Sequence, residues 1–277
     1  MFVSDFFYEQ VKGGAESSDD VLISFLQSKG HSVQKIQSHL FKNSIRLAPA
    51  DNKLFIVSNF CNLSTASKRQ LMLNENYIIY EHDHKYLISR NPGNYKNFLA
   101  PKQSIINLDF YLAAKKVICQ SNFHLGIISK NLGELSNLYN VSGNLWSERQ
   151  LKKIAELSSV KKTESYAILQ SNVSHKNTAG AIKYCEENNL PCSLIPPLEY
   201  DNFLNELSTK IGLVFLPKTP ETLCRVAVEA RMMNLKVITN NLLGAKYEPW
   251  FKQRGFPLIK LMSNKFEEVY DELQKSL

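Results

Sequence analysis

The chain has 277 residues, 44% of them hydrophobic and 21% charged, with a formal net charge of +7 at pH 7 and a sequence pI near 9.0. This length suits one large domain or two compact ones, and the composition excludes disorder, collagen and coiled coil. The positive balance favours anionic partners such as a nucleotide diphosphate, nucleic acid or an acidic membrane surface.

Apolar runs and helical periodicity then alternate along the chain. Residues 2–6 predict a strand, 15–28 a helix with Val21, Leu22, Phe25 and Leu26 on one face, and 31–36 a strand after the stop at Gly30. A strand follows at 53–58, a helix at 64–71, a strand at 77–80, a helix at 105–115, a strand at 117–119 and a helix at 123–130. A second cycle begins near Gly143: helix 148–157, strand 166–169, helix 178–188, strand 192–195, helix 202–207, strand 211–216, helix 223–233, strand 236–239 and a terminal helix near 265–275. Short apolar strands between helices mean parallel sheet covered on both faces. The expected fold class is therefore α/β, with two Rossmann-like domains facing across a cleft. The first spans 1–143 with helix 264–277 packing back on it, and the second spans 144–263.

The longest apolar runs fall far short of the roughly 20 residues a membrane helix needs, so no membrane span is expected. No basic-then-apolar leader is read at the start, which makes the cytoplasm the expected compartment. Cys61, Cys119, Cys185, Cys192 and Cys224 are odd in number and scattered, the pattern of reduced thiols rather than of a zinc site or disulfide framework.

In open parallel sheets ligands bind at the carboxyl ends of the strands, so chemistry is sought in the loops that follow them. In the run from Pro220 to Ala230, Glu221 and Glu229 stand eight residues apart, with Thr222, Leu223 and Cys224 between them at an expected helix start. Unpaired backbone N–H groups there would receive a diphosphate, Glu221 would meet sugar hydroxyls and Glu229 would hold a ribose diol. The competing reading makes Glu221 a first-turn charge and Glu229 a solvated side chain. Gly13-Gly14-Ala15-Glu16 lies between the first strand and first helix, where glycines let a phosphate or sugar approach the backbone. Lys176 sits in Gln170-Ser-Asn-Val-Ser-His-Lys176 after the first strand of the second cycle. Glu81-His-Asp-His84 ends an apolar strand with four ionisable residues, where Asp83 or Glu81 would orient the His82 imidazole. A metal site is the rival there. His84, Arg90 and Tyr95 are candidates for touching an acceptor.

Together these segments resemble the family-4 retaining glycosyltransferases of GT-B fold. The match rests on Ile211-Gly-Leu-Val-Phe-Leu-Pro through Glu221, Glu229-Ala-Arg-Met-Met-Asn and Lys236-Val-Ile-Thr, on Gly13-Gly14-Ala15-Glu16, and on Lys29-Gly30-His31-Ser32-Val33. It implies a nucleoside-diphosphate sugar donor, a UDP-sugar by expectation, and transfer with retention and without a metal or other cofactor. Site roles carry over as His82, Asp83 and Glu221 in catalysis, and Gly13, Gly14, Ser171, Lys176, Thr222, Leu223, Cys224 and Glu229 in donor binding. Ser171 stands where the family carries an arginine, and Asn177 where it carries a glycine beyond the lysine; Arg225 and Lys218 are the cations that would compensate. The short chain looks like compact phage-encoded transferases, in host cytoplasm. That resemblance and the positive charge imply a hydroxymethylated DNA base as acceptor. A saccharide or small molecule is the alternative, and a non-catalytic nucleotide-sugar-binding protein is the alternative of another class.

Overall fold

The computed structural model describes residues 1–41 and 53–276. The chain divides into two compact units, Met1–Leu145 with Asn264–Leu277, and Trp146–Ser263.

Unit 1 carries β1 (Phe2–Ser4), α1 (Gly14–Ser28), β2 (Lys35–Gln37), β3 (Phe55–Val57), α2 (Thr65–Asn74), β4 (Tyr77–Tyr80), α3 (Leu108–Leu112), β5 (Lys116–Cys119), α4 (Asn122–Leu132) and β6 (Leu138–Asn140). Among the described residues its six strands are all parallel, in the order β2-β1-β3-β4-β5-β6. Side chains alternate across the sheet, so each strand feeds two cores. Val3, Phe55, Val57, Tyr77, Ile79 and Val117 pack with Leu71 of α2, Phe110 of α3 and Ile128 of α4. Phe2, Ile56, Ile78, Tyr80 and Ile118 pack on the other face with Val21, Leu22 and Leu26 of α1. That second core also takes Val269 and Leu273 of the terminal helix, Lys265–Gln274.

Unit 2 carries α5 (Glu148–Ser158), β7 (Tyr166–Leu169), α6 (Thr178–Glu187), β8 (Cys192–Ile195), α7 (Tyr200–Ser208), β9 (Gly212–Phe215), α8 (Arg225–Met232), β10 (Lys236–Thr239) and α9 (Phe256–Ser263); the terminal helix is then α10. The four strands are parallel in the order β10-β9-β7-β8. Ser147 opens α5 with a capping box, its hydroxyl accepting from the Gln150 N–H while the Gln150 side chain takes the Ser147 N–H. Among the described residues no helix is long and apolar enough to cross a membrane.

Several boundaries differ from those read in the sequence. The helix expected over 105–115 is reduced to Leu108–Leu112, because Ile105 forms an antiparallel bridge with Leu87 and Asn107 takes a left-handed φ of 59°. The strand expected over 31–36 is confined to Lys35–Gln37, and β6 and α9 were not anticipated. The helix expected from 223 starts at Arg225, behind Cys224 at φ 74°.

Candidate functional site

Each sheet reverses its strand order at one place, and there the loops on either side diverge to leave room for a ligand. In unit 2 this switch lies between β7 and β9, which both start from the centre of the sheet. The loop after β7 carries Lys176 and the loop after β9 carries Glu221, and the two meet: Lys176 Nζ donates to Glu221 Oε1 at 2.8 Å. Burial works against the Lys176 charge, but the Glu221 carboxylate beside it holds the ammonium above its ordinary pKa. Asn177, at φ 59°, turns the chain from this loop into α6 and donates through Nδ2 to the Leu216 carbonyl, tying the two loops together. Ser171 accepts the Val173 N–H on its hydroxyl, and its own N–H donates to the Thr178 hydroxyl at 3.1 Å.

Glu221 lies four residues before α8, so it is not a first-turn charge. Its backbone is fixed by a parallel bridge to Leu243, with Glu221 N–H donating to Leu242 O and Gly244 N–H donating to Glu221 O, both at 2.8 Å. Gly244 makes that approach possible, since a Cβ there would fall 2.1 Å from the Thr222 carbonyl oxygen. Gly244→Ala is accordingly expected to push the 221–222 backbone away, costing about 1–3 kcal/mol and weakening nucleotide binding in the same variant. Unchanged unfolding and unchanged nucleotide affinity, measured by denaturant titration and calorimetry, would refute this.

The backbone between Glu221 and α8 belongs to Thr222, Leu223 and Cys224. Leu223 is buried in the core, its carbonyl accepting from Ala245 N–H. The Cys224 thiol, pushed up to about 12 by burial and by the Glu221 charge, is no nucleophile at neutral pH. Glu229 is 1% exposed, which overturns the solvated reading of this residue. Its Oε1 accepts from Trp146 Nε1 and from the Tyr200 hydroxyl, each at 2.8 Å, with Arg225 Nε 3.8 Å away. The Arg225 guanidinium lies over the Trp146 ring at 4.5 Å, so this cation is held by an aromatic face as well as by Glu229.

In unit 1 the strand order reverses between β2-β1 and β3, and the loops there carry the glycine pair. Gly13 caps α1 and Gly14 is its first residue. The place a Cβ would take at Gly13 is filled by the protein's own carboxylate, 2.1 Å from Glu16 Oε2. Glu16 also takes a hydrogen bond from Asn59 Nδ2, at 3.2 Å, from the loop after β3. The start of α1 is thus supplied with an anion by Glu16, which opposes a phosphate there and suits hydroxyl donors instead. Asp5, after β1, accepts from the N–H groups of Cys61 and Asn62 and from the Ser38 hydroxyl, fixing the same loops.

The Glu81-His-Asp-His84 turn does not work as the sequence suggested. His82 Nε2 lies 2.8 Å from Asp19 Oδ1 on α1, and its Nδ1 lies 2.6 Å from Gln120 Nε2 after β5. Asp83 and Glu81 do not orient that imidazole, because both are taken up by Lys85. Glu81 and Asp83 instead share the buried Lys85 ammonium, with Asp83 Oδ1 at 2.8 Å; Tyr111 donates to Glu81, and Arg90 pairs with Asp83 Oδ2. Burial pushes the Asp83 carboxyl up, but Lys85 and Arg90 hold it well below the ordinary range. Both carboxylates pair with Lys85, and among the described residues no group of three or more His, Cys, Asp or Glu side chains is placed to hold a metal ion. His84 is buried and its imidazole pKa is lowered to about 4, first by burial; Nδ1 meets the Tyr86 hydroxyl at 3.0 Å. It is buried edge to face with His124. Arg90, at φ 54°, is engaged by Asp83, and Tyr95 packs against the unit 1 core.

No protein-family model matches the chain, and no curated protein matches it. Solved structures do. An alpha-glucosyltransferase in complex with UDP and a 13-mer DNA containing a central A:G mismatch is 10% identical over 98% of this chain and 89% of its own, with a TM-score of 0.54. The HepE protein of Anabaena in complex with UDP-glucose is 14% identical over 99% and 90%, with a TM-score of 0.53. A glycosyltransferase of Rickettsia africae is 12% identical over 99% and 92%, with a TM-score of 0.52. The chain therefore has the α/β fold with two parallel sheets seen in GT-B glycosyltransferases.

Proposed function

We propose that the chain is a retaining, metal-independent glycosyltransferase that moves a sugar from a UDP-sugar to an acceptor hydroxyl. One observation carries this reading: Lys176 and Glu221, brought together at 2.8 Å at the strand-order switch of unit 2, pair a cation with a carboxylate where a ligand is expected. Lys176, with the N–H groups ahead of α8, would neutralise the charge that grows on the departing diphosphate. Glu221 would take sugar hydroxyls, and the anchored carboxylate of Glu229 would hold the ribose. With no carboxylate among the described residues assigned as a nucleophile, the departing phosphate would take the acceptor proton on the same face of the sugar. The fold shared with nucleotide-sugar complexes of glycosyltransferases is in keeping with this.

The total charge and the resemblance to compact phage enzymes support a hydroxymethylated DNA base as acceptor. A saccharide or small-molecule acceptor is favoured by where the charge lies. Unit 1 holds 17 basic against 15 acidic residues, and unit 2 holds 16 against 11. In unit 1, Asp5, Glu16 and Asp19 gather beside the strand-order switch with hydroxyl, amide, imidazole and backbone partners and no Lys or Arg ion pair among the described residues. These carboxylates are buried, and their negative charge behind the unit 1 loops opposes phosphodiesters.

The test is release of nucleoside diphosphate from a panel of nucleotide sugars, with and without DNA containing 5-hydroxymethylcytosine. Release that requires the modified DNA and adds a sugar mass to the base assigns the DNA acceptor. Release stimulated by saccharides and indifferent to DNA assigns the second. Binding of a nucleotide sugar that is never consumed refutes a transferase.

A further inference from the structure

The imidazole of His82 has carboxylate and amide partners from two other elements. Its side chain is 4% exposed and that of Asp19 is 1% exposed. A primary amide nitrogen only donates, so Gln120 Nε2 at 2.6 Å makes His82 Nδ1 an acceptor. The ring proton then sits on Nε2 and is donated to Asp19 Oδ1 at 2.8 Å. Tyr80 lies against the ring, 4.5 Å between centroids, and removes a third direction of motion. Gln120 is itself fixed, since its N–H donates to His124 Nδ1 at 3.3 Å while His124 Nε2 donates to the Asp83 carbonyl at 2.8 Å. A run of polar contacts thus leads from α1 through His82 and the end of β5 back to the turn that carries His82.

We propose that Asp19 is the positioning residue of the unit 1 site: with Gln120 it holds His82 as the Nε2–H tautomer in one orientation, so that the imidazole shapes the site without taking up or giving away a proton. This rests on the transferase reading above, and it agrees with a transfer in which the leaving phosphate takes the acceptor proton. Both ring nitrogens are engaged inside the protein, so His82 presents its ring edge and its backbone rather than an acid or base.

The arrangement is costly to keep for stability alone. Asp19 is wholly buried, yet Oδ2 has no hydrogen-bond partner among the described residues. A buried acceptor left unmet opposes folding, and such groups survive where function requires them. Asp19→Asn should therefore melt at or above the wild-type temperature, because it removes an incompletely paired buried charge and keeps a carbonyl for the His82 N–H.

The effect on the reaction separates positioning from packing. Asp19→Ala is expected to lower nucleotide-sugar turnover by about 10²-fold, with the donor KM little changed, and Asp19→Asn to recover most of it. His82→Ala combined with Asp19→Ala should be no slower than His82→Ala alone, as expected for residues acting as one unit. Side-chain ¹⁵N NMR should show wild-type His82 protonated on Nε2 and unprotonated on Nδ1. A proton on Nδ1, additive losses in the double variant, or full turnover in Asp19→Ala would each overturn the proposal. If the wild-type protein turns over no nucleotide sugar, the transferase reading falls, while the tautomer and the melting temperature of Asp19→Asn still decide whether the clamp exists.

Discussion

Lys176→Ala is expected to lower nucleotide-sugar turnover by about 10²–10³-fold, the loss seen when one preorganised partner of a developing negative charge is removed. The ammonium is held within 2.8 Å of Glu221, whose carboxylate outweighs the burial that works against the charge. Removing it leaves Glu221 unpaired beside the place where the diphosphate is proposed to lie, so repulsion adds to the lost attraction. Affinity for UDP should fall with turnover, whereas affinity for uridine, which lacks the diphosphate, should not. Equal losses for UDP and uridine would mean that Lys176 supports the loop and does not meet the phosphates. Glu221→Gln sharpens the contrast, because it frees the lysine while weakening sugar contacts. UDP should bind at least as well as to the wild type, and turnover should still drop. An unchanged rate in Lys176→Ala would remove the basis of the donor-site assignment.

The parallel two-sheet fold was legible because strands buried on both faces read as short apolar runs. Phe55–Val57 and Gly212–Phe215 are of this kind, and every residue in them is buried. Where the reading slipped, a local conformation overruled the periodicity: Asn107 in the left-handed region stands just ahead of α3 and keeps Ile105 out of a helix that the spacing of Ile105, Leu108 and Leu112 would have joined. β6 is three half-buried residues, too short and too mixed to announce itself.

The donor-side pair was legible for a different reason. Lys176 and Glu221 both follow strands, and a rule about sheet topology brings such loops together without knowledge of side chains. Unit 1 offered no such shortcut. The partner of His82 lies 63 residues away on α1, and Gln120 lies 38 residues away after β5. Proximity in sequence suggested Asp83 and Glu81 instead, and the turn after β4 brings those to Lys85. Gly13 taught a similar lesson: the glycine leaves room for Glu16, a protein carboxylate, as well as for any ligand.

Lys85→Met should be the most destabilising single change in unit 1. The ammonium is 1% exposed and serves Glu81, which is wholly buried, as well as Asp83. Burial opposes the charge of the lysine and of Glu81 alike: Asp83 and Glu81 together outweigh it at Lys85, whereas at Glu81 burial prevails and pushes the carboxyl above its ordinary range although Lys85 pulls it down. Breaking such a pair from one side costs about 3–5 kcal/mol, a large part of the roughly 5–15 kcal/mol that holds an ordinary domain together. Replacing both partners by neutral groups of similar shape is close to neutral, so Glu81→Gln with Lys85→Met should restore most of the loss. The tyrosine hydroxyl of Tyr111 can still donate to the glutamine carbonyl, and Arg90 still pairs with Asp83. Native-state hydrogen exchange at the amides of β4 and β5 reads this opening locally, which suits a chain of two units. A loss below about 1 kcal/mol in Lys85→Met would show that Glu81 is protonated and the pair is not ionic. The double variant also tests the turn itself. His82 keeps Asp19 and Gln120 there, so turnover should return with stability if the cluster only holds the turn in place. A double variant that is stable yet inactive would show that Asp83, deprived of Lys85, takes part in the transfer directly.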